Sequence, residues 1–420
     1  MGASSFPRRF VLAAAFVGLA ARLAFGLAYW QHEKMNRDEV EYLSLARSLV
    51  AGHGYKYDEH VEKGPVEPFG RAPGYPVFLA LTGGGRADSA QAVPASVKIA
   101  QSVGGAIGVI VIAIAAFRMA GRRPAMAAAA MAALFPPLIW IAGFAYSESV
   151  FWPIGLALGL LVSHMLEQHG AALGRWAFLS GLATGATVMF RAATSPFVGL
   201  LTIWLIWKRQ WAALAMVWVG LLIVLTPWTI RNYYHYDGRL VVIASDGGVT
   251  FWTGNNPLAT GEGDMAANPH LKYANLELKS RHPGLNEEQL EPVYYRESLD
   301  WIRSHPLDWL MLMAKKAFYL VVPIGPSYTL HSTRYYITSV LSLLVLVPLA
   351  CMGLWRLGRR RARLTGMWLL AVAAIATCLV FFPQERFRIP VIDPALILLA
   401  SGFWYAGPRD DAEAAAVVAA

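Results

Sequence analysis

Charged residues are scarce in this sequence of 420 residues. Asp, Glu, Lys and Arg together make up 15% of it, whereas a soluble domain carries roughly a quarter. Hydrophobic residues make up 56%, and the mean hydropathy is +0.43. The apolar residues gather in runs of roughly 20, the length that crosses a hydrocarbon core of about 30 Å. This pattern excludes an ordinary soluble enzyme and predicts an all-α polytopic membrane protein.

Cysteine and metal-binding patterns are also sparse. The only two cysteines, Cys351 and Cys378, both fall inside apolar runs, where cysteine behaves as a small hydrophobic residue. No spacing of His, Cys, Asp and Glu is typical of a metal site. We therefore expect no disulfide, no metal ion and no cofactor.

Acidic residues are outnumbered by basic ones, 27 to 36, which gives a net charge of +9. In a soluble protein this excess would suggest nucleic acid as a partner. Here most basic residues stand in short connections between apolar runs, so membrane topology explains them better. We expect membrane lipids as partners and no nucleic acid.

The apolar runs predict about ten transmembrane helices. The first follows Pro7-Arg8-Arg9 and is longer than a signal-peptide core, so we interpret it as a retained span. The predicted spans are 10–29, 94–117, 125–144, 149–166, 176–190, 194–207, 211–229, 336–355, 366–383 and 389–406.

The basic residues predict the orientation of these spans. With both termini in the cytoplasm, the cytoplasmic connections carry most of the arginines and lysines, as the positive-inside rule requires. These are Arg8, Arg9, Arg118, Arg122, Arg123, Arg175, Lys208, Arg209, Arg356, Arg359, Arg360, Arg361, Arg363 and Arg409.

Three parts follow from this topology. Residues 1–231 form an N-terminal membrane module with a first outer loop at 30–92, residues 232–335 form a large outer loop, and residues 336–420 hold the last helices and a cytoplasmic tail. In the large loop, Leu240 to Ile243 has a strand-like pattern. The apolar run 309–323 is broken by Lys315 and Lys316, so we interpret it as an interfacial or re-entrant helix, with a pair of extra crossings as the alternative.

The first outer loop opens on Asn36-Arg37-Asp38-Glu39-Val40-Glu41, ahead of an amphipathic pattern. Two interpretations of Asp38 are compatible. It could cap the helix, with Glu41 three residues later completing a capping box. It could also be a carboxylate at the water–lipid boundary that takes a proton from an acceptor hydroxyl.

Further polar residues stand at predicted outer ends. Arg71, at the end of the first outer loop, could bind a phosphate through its planar fork or anchor the next helix. Charges near membrane depth usually face a cavity or a partner, so a shared polar chamber is plausible. Alternatively, Glu385 could pair with Arg386, or either could pair with Arg191. The chamber would collect Glu148, Arg191, Glu385, Arg386 and Arg388.

In the large outer loop, Asp246-Gly247-Gly248, Trp252 and Asn255-Asn256 could form a turn that holds sugar hydroxyls. Since Gly and Asn favour turns in any case, a purely structural turn is the alternative.

The order of these motifs resembles that of a known family. The sequence is similar to the bacterial glycosyltransferases related to protein O-mannosyltransferases and to the aminoarabinose transferases of lipid A (glycosyltransferase family 39), which have the C-type membrane glycosyltransferase fold. The motifs that carry the resemblance are Asp38-Glu39, Tyr42 to Tyr55, Arg71-x-Pro73-Gly74-Tyr75-Pro76, Pro136-Pro137, Ser147-Glu148-Ser149, Phe190-Arg191, Pro227-Trp228-x-x-Arg231-Asn232, Gly254-Asn255-Asn256-Pro257 and Arg386-x-Arg388-x-Pro390.

The resemblance implies a glycosyltransferase of the bacterial inner membrane that takes a sugar from a polyprenyl-phosphate donor and acts on an envelope acceptor outside the cytoplasm. The family's catalytic carboxylate maps onto Asp38, with Glu39 beside it. An acidic residue precedes the basic residue of the aminoarabinose transferases, whereas Gly70 precedes Arg71 here, and Glu67 does not align with that acid. The predicted substrate-binding residues are Arg71, Tyr75, Glu148, Arg191, Asn255, Arg386 and Arg388.

Two other classes of function remain as alternatives. A lipid or sugar transporter would also carry polar residues among its helices, although the charges here lie at one interface rather than at mid-bilayer, and no internal repeat is evident. A non-catalytic assembly protein could share the fold. The pattern favours a transferase that works by inverting displacement.

Overall fold

The computed structural model describes residues 6–31, 34–58, 61, 70–263, 265, 267–322, 324 and 332–407. All regular secondary structure of the described residues is helical, and they contain no strand. The predicted all-α class is thus confirmed. The helices are α1 (Arg8–Ala24, continuing as a π-helix over Phe25–Tyr29), α2 (Arg37–Val50), α3 (Gly74–Leu81), α4 (Ala95–Ala120), α5 (Arg122–Leu134), α6 (Pro136–Trp140), α7 (Glu148–Leu166), α8 (Gly170–Phe190), α9 (Ser195–Trp207), α10 (Trp211–His235), α11 (Gly247–Gly254), α12 (Pro269–Ser280), α13 (Glu287–Ser304), α14 (Pro306–Val321), α15 (Thr333–Leu357), α16 (Thr365–Val380), α17 (Glu385–Arg388) and α18 (Ile392–Ser401).

Five helical segments of the described chain are long and apolar enough to cross a membrane: Arg8–Tyr29, Ala95–Ala120, Glu148–Leu166, Trp211–His235 and Thr333–Val380. Arg122–Leu134 and Pro136–Gly143, bent by 59° at their junction, would make a sixth if they form one span. Every predicted span overlaps at least one helix, and Thr333–Val380 contains two of the spans. The helices are therefore established, while ten crossings stay a prediction.

The strand-like pattern at Leu240 to Ile243 does not form a strand. The carbonyl of Val241 accepts a hydrogen bond from Asn232 Nδ2 at 2.9 Å, and the carbonyl of Ile243 accepts one from Trp228 Nε1 at 2.9 Å. Because side chains of α10 satisfy these backbone groups, the segment needs no neighbouring strand.

The helices pack closely where small residues meet. A Cβ added to Gly181 of α8 would lie 2.1 Å from the carbonyl oxygen of Val217, and one added to Gly220 of α10 would lie 2.4 Å from that of Phe178. The alanine-rich α5 packs against α1, α4 and α18 in the same manner, with Ala128, Ala129 and Ala132 fully buried. Such contacts between small residues are typical of membrane helix pairs.

Basic connections gather at one end of this bundle. Arg363 donates to the carbonyl of Met119 at 3.3 Å, and Arg118 pairs with Glu167 just beyond the last turn of α7. Glu148, at the first turn of the same helix, lies roughly 28 Å away along the axis, at 1.5 Å per residue. The predicted cytoplasmic connections that carry Arg118 and Arg363 therefore lie at the end of α7 opposite to Glu148.

Candidate active site

The site begins at the first turn of α2. Asn36 is the N-cap residue: its side chain accepts a hydrogen bond from the amide of Glu39 at 3.2 Å, and the Glu39 carboxylate accepts one from the amide of Asn36 at 3.0 Å. The capping box is thus formed by Asn36 and Glu39, and the predicted box of Asp38 and Glu41 is wrong. Because the helix starts two residues earlier than that box requires, the Asp38 side chain is free to contact other partners.

Asp38 lies between two arginines. Its carboxylate accepts from Arg71 Nη2 at 2.6 Å and from Arg386 Nη1 at 2.5 Å. Arg71 comes from the segment before α3, and Arg386 comes from α17, 348 residues along the chain from Asp38. Burial raises the pKa of Asp38, but the charges of Arg71 and Arg386 outweigh it and hold the pKa well below its usual range. The carboxylate is therefore ionised at neutral pH and firmly paired.

A second carboxylate, Glu41, holds Arg71 from the other side. Glu41 is 1% exposed and accepts from Arg71 Nη2 at 2.5 Å and from Arg71 Nε at 3.0 Å. The ring of Tyr42 faces the same guanidinium at 5.0 Å. Sequence reasoning assigned Glu41 no more than a cap, although its spacing of three residues places it on the same helix face as Asp38.

A further ion pair extends the polar wall. Arg191, which follows α8, pairs with Glu148 at 2.9 Å and donates to Ser147 Oγ at 2.9 Å. The guanidinium of Arg386 lies 5.1 Å from the centre of the Tyr146 ring, and Asn36 Nδ2 donates to the Tyr146 hydroxyl at 2.5 Å. Tyr146 thus links the cap of α2 to Arg386, a role that no sequence pattern indicated.

Most of these side chains line one cavity of about 590 Å³. Its wall is polar around the arginines and mostly apolar on the side of α16. The polar lining residues are Asp38, Tyr42, Arg71, Tyr146, Ser147, Glu148, Arg191, Thr194, Ser195, Asp246, Thr250, Thr377 and Arg386, and the apolar ones include Phe151, Phe190, Ile243, Leu370, Phe381 and Phe387.

Five of the nine predicted site residues therefore meet in this cavity: Asp38, Arg71, Glu148, Arg191 and Arg386. The predicted shared chamber brings Glu148, Arg191 and Arg386 together. Arg386, for which a pairing with Glu385 was the alternative, pairs with Asp38. Glu67 lies outside the described residues.

The other four predicted residues do not line the cavity. Glu39 is buried in the capping box and also accepts from the amide of Ala145 at 2.9 Å. The hydroxyl of Tyr75 donates to Gln101 at 2.7 Å. Arg388 pairs with the fully buried Asp393 at 2.8 Å. Their contacts hold helices together, so a direct substrate contact has no support from their placement.

Asn255 is likewise occupied by protein groups. Its side-chain oxygen accepts from Lys316 Nζ at 3.1 Å, and its amide donates to the carbonyl of Val380 at 2.8 Å. Lys316 also donates to the carbonyl of Leu379 at 3.0 Å, so this buried lysine binds the C-terminal end of α16. The predicted interfacial segment 309–323 is, as far as the structure describes it, part of the continuous helix α14, fixed by this contact.

No group of three His, Cys, Asp or Glu side chains that could hold a metal ion occurs within the described ranges.

Comparison with known proteins identifies the fold. No protein-family model and no curated protein sequence matches the chain. Among solved structures, the oligosaccharyltransferase of Archaeoglobus fulgidus in complex with Zn and sulfate matches 94% of the chain with a TM-score of 0.52 at 12% identity, and its apo form matches 94% with a TM-score of 0.52 at 14% identity. ArnT of Cupriavidus metallidurans bound to undecaprenyl phosphate covers 95% of the chain and 77% of its own, with a TM-score of 0.38 at 15% identity.

The chain spans about half of the oligosaccharyltransferase, 48% in the first of these structures and 50% in the second. Over that half the two proteins share the C-type glycosyltransferase fold. The fold implied by the sequence resemblance is thereby confirmed.

Proposed function

We propose that this chain is a membrane glycosyltransferase that moves a sugar from a polyprenyl-phosphate donor to an acceptor outside the cytoplasm of a bacterial cell. The single observation that carries the proposal is the Asp38 carboxylate held between Arg71 and Arg386 in one cavity. A base for the acceptor and cations for the leaving phosphate are the two groups that such a transfer needs. The C-type fold is consistent with this chemistry.

Arg386 is the best candidate to bind the donor phosphate. Arg71 is already neutralised by Glu41, and Arg191 is neutralised by Glu148. The acid that Arg386 contacts, Asp38, is shared with Arg71. Arg386 therefore has the least compensated charge of the three, and its planar fork matches a phosphate. The apolar wall near α16 is suited to the start of the polyprenyl chain.

Donor binding would also activate Asp38. A phosphate that pairs with Arg386 neutralises one of the two cations that lower the pKa of Asp38. The carboxylate then becomes a stronger base at the moment when the donor is in place. Asp38 takes the proton of the acceptor hydroxyl, the acceptor oxygen bonds to the anomeric carbon, and the bond from that carbon to the phosphate oxygen breaks. The configuration at the anomeric carbon is inverted without a covalent intermediate.

The first test replaces Asp38 with Asn. Asn keeps the shape but has no basic carboxylate, so we expect transfer to fall by roughly 10²- to 10⁴-fold. The measurement is mass spectrometry of glycolipids and envelope glycans in a strain that lacks the protein and carries each variant on a plasmid. Asp237→Asn, the same change at an exposed position that does not line the cavity, should restore the wild-type profile.

Full restoration of the wild-type profile by Asp38→Asn would refute the catalytic assignment.

A second measurement tests the phosphate site. Purified Arg386→Lys should bind undecaprenyl phosphate roughly tenfold or more weakly than the wild type, because lysine lacks the bidentate fork of arginine. Arg239→Lys, at an exposed position, is the matched control. Equal binding by both lysine variants would remove Arg386 from the phosphate site.

A further inference from the structure

One carboxylate of the cavity stands apart from the ion pairs. Asp38 and Glu148 each pair with arginine, whereas the side chain of Asp246 forms no ion pair and no hydrogen bond with any other described residue. It lies at the start of α11, and its carboxylate does not cap that helix. Apart from a hydrogen bond from its own backbone amide, this carboxylate has no donor among the described residues, so it can still accept hydrogen bonds from a ligand in the cavity.

The backbone around Asp246 is fixed from two sides. Gly70 and Ser245 pair in both directions: the amide of Gly70 donates to Ser245 Oγ at 2.9 Å, and the amide of Ser245 donates to the carbonyl of Gly70 at 3.1 Å. This pairing joins the segment before α3 to the segment before α11 and places Asp246 near Arg71. On the other side, a Cβ on Gly248 would lie 2.7 Å from the carbonyl of Glu291, and the Gly248 amide donates to the Glu291 carboxylate at 3.2 Å.

The surrounding charges place Asp246 at one end of the site. Burial raises the pKa of Asp246, Arg71 lowers it, and Asp38 and Glu41 raise it. Arg71 is already occupied by those same two acids. The pairing of Ser245 with Gly70 places Asp246 on the Arg71 side of the site, while Arg386 contacts Asp38 through the other carboxylate oxygen. An anionic phosphate would be repelled by Asp246 and attracted by Arg386.

We propose that Asp246 binds the sugar of the donor and accepts hydrogen bonds from its ring hydroxyls. The two oxygens of one carboxylate can accept hydrogen bonds from two neighbouring hydroxyl groups. A sugar ring carries such neighbouring hydroxyls, whereas an acceptor with a single hydroxyl does not. With the phosphate at Arg386, the attached sugar extends past Asp38 toward Asp246. This assignment rests on the proposed function and adds a residue that selects the sugar rather than the lipid.

The experiment compares two lipids on the same purified full-length protein. Immobilised wild type is incubated with undecaprenyl phosphate and with the polyprenyl-phosphate glycolipids extracted from a strain that lacks the protein, and retained lipids are quantified by mass spectrometry. Wild type should prefer a sugar-bearing lipid. Asp246→Asn should lose that preference by roughly tenfold or more, because a charged acceptor of hydroxyl groups is gone, and should keep its affinity for undecaprenyl phosphate within about twofold. Asp237→Asn should keep both.

Three outcomes would overturn the inference. An unchanged preference in Asp246→Asn would exclude sugar contact. A loss of undecaprenyl phosphate binding together with a lower melting temperature would make Asp246 a structural residue of the loop. Wild type that retains neither lipid would refute the proposed function itself, a result distinct from the first two.

Discussion

Asp38 and Glu39 are neighbours in sequence but occupy different environments. The Asp38 carboxylate lines the cavity between two arginines, and Glu39 is 3% exposed and bonded to the backbone amides of Asn36 and Ala145. Successive residues emerge about 100° apart around a helix, so Asp38 faces the cavity while Glu39, the next residue, faces the protein interior. This placement supports the proposed catalytic role of Asp38, and it shows that Glu39 anchors the start of α2.

The variant Glu39→Gln tests this division. Gln still completes a capping box, but only one of its two polar atoms accepts, so one bond to Asn36 or Ala145 is lost. We expect a loss of about 1–3 kcal/mol in the free energy of unfolding and near-normal transfer per folded molecule. The measurements are the melting temperature in detergent and the glycan profile of the complemented strain. Glu277→Gln, at an exposed position, is the control. If Glu39→Gln had normal stability but no transfer activity, Glu39 would have a catalytic role.

At the scale of elements, the contact of α8 with α10 depends on glycine at particular positions. Gly181 faces the backbone of Val217, whereas a Cβ added to Gly174 of the same helix would meet nothing within 4 Å. Replacing Gly181 therefore tests the close packing of the two helices, whereas replacing Gly174 tests only the low helix propensity of glycine.

We expect Gly181→Ala to destabilise the protein and Gly174→Ala to leave it unchanged or slightly more stable. At 2.1 Å from the carbonyl oxygen of Val217, a methyl group forces the helices apart, with a typical overpacking cost of about 1–3 kcal/mol. At position 174 alanine gains roughly 0.5–1 kcal/mol from helix propensity alone. Melting temperatures of the two variants in one detergent check this, and equal values would show that the helices separate without cost.

The sequence predicted these elements better than it predicted their ends and contacts. Hydrophobic runs place each predicted span on a helix, because apolar length is a local property. The predicted N-cap of α2 was wrong. Asn36 and Asp38 are both good N-cap residues, and only the contacts with Ala145 and Tyr146 decide between them. The pairing of Asp38 with Arg386 depends on residues 348 positions apart, which no local pattern specifies.

At the scale of the whole molecule, the basic connections and the cavity lie at opposite ends of the bundle. Arg118 and Arg363 lie near the C-terminal end of α4, and Glu148 and Arg191 lie at the cavity. The positive-inside rule then places the cavity outside the cytoplasm. This orientation stays a prediction.

Reporter fusions test the orientation. A reporter that is active only in the cytoplasm should work when fused after Arg361 and fail when fused near Gly261, because the arginine-rich connection Gly358–Leu364 is predicted to be cytoplasmic. A periplasmic reporter at the same two positions should give the reverse pattern and serves as the control. A cytoplasmic signal at Gly261 would place Asp38 in the cytoplasm and invalidate an extracytoplasmic acceptor.

The ion pair of Asp38 with Arg386 also has a consequence for biosynthesis. At about 5–20 residues per second, the ribosome needs roughly 17 to 70 seconds to add the 348 residues between them. During that time Asp38 can pair with Arg71, which is made 33 residues later, while the cavity still lacks the wall formed by α16 and α17. The cavity is therefore completed only when the last helices join the bundle, so the proposed donor site between Arg386 and Asp38 cannot form before synthesis is nearly finished.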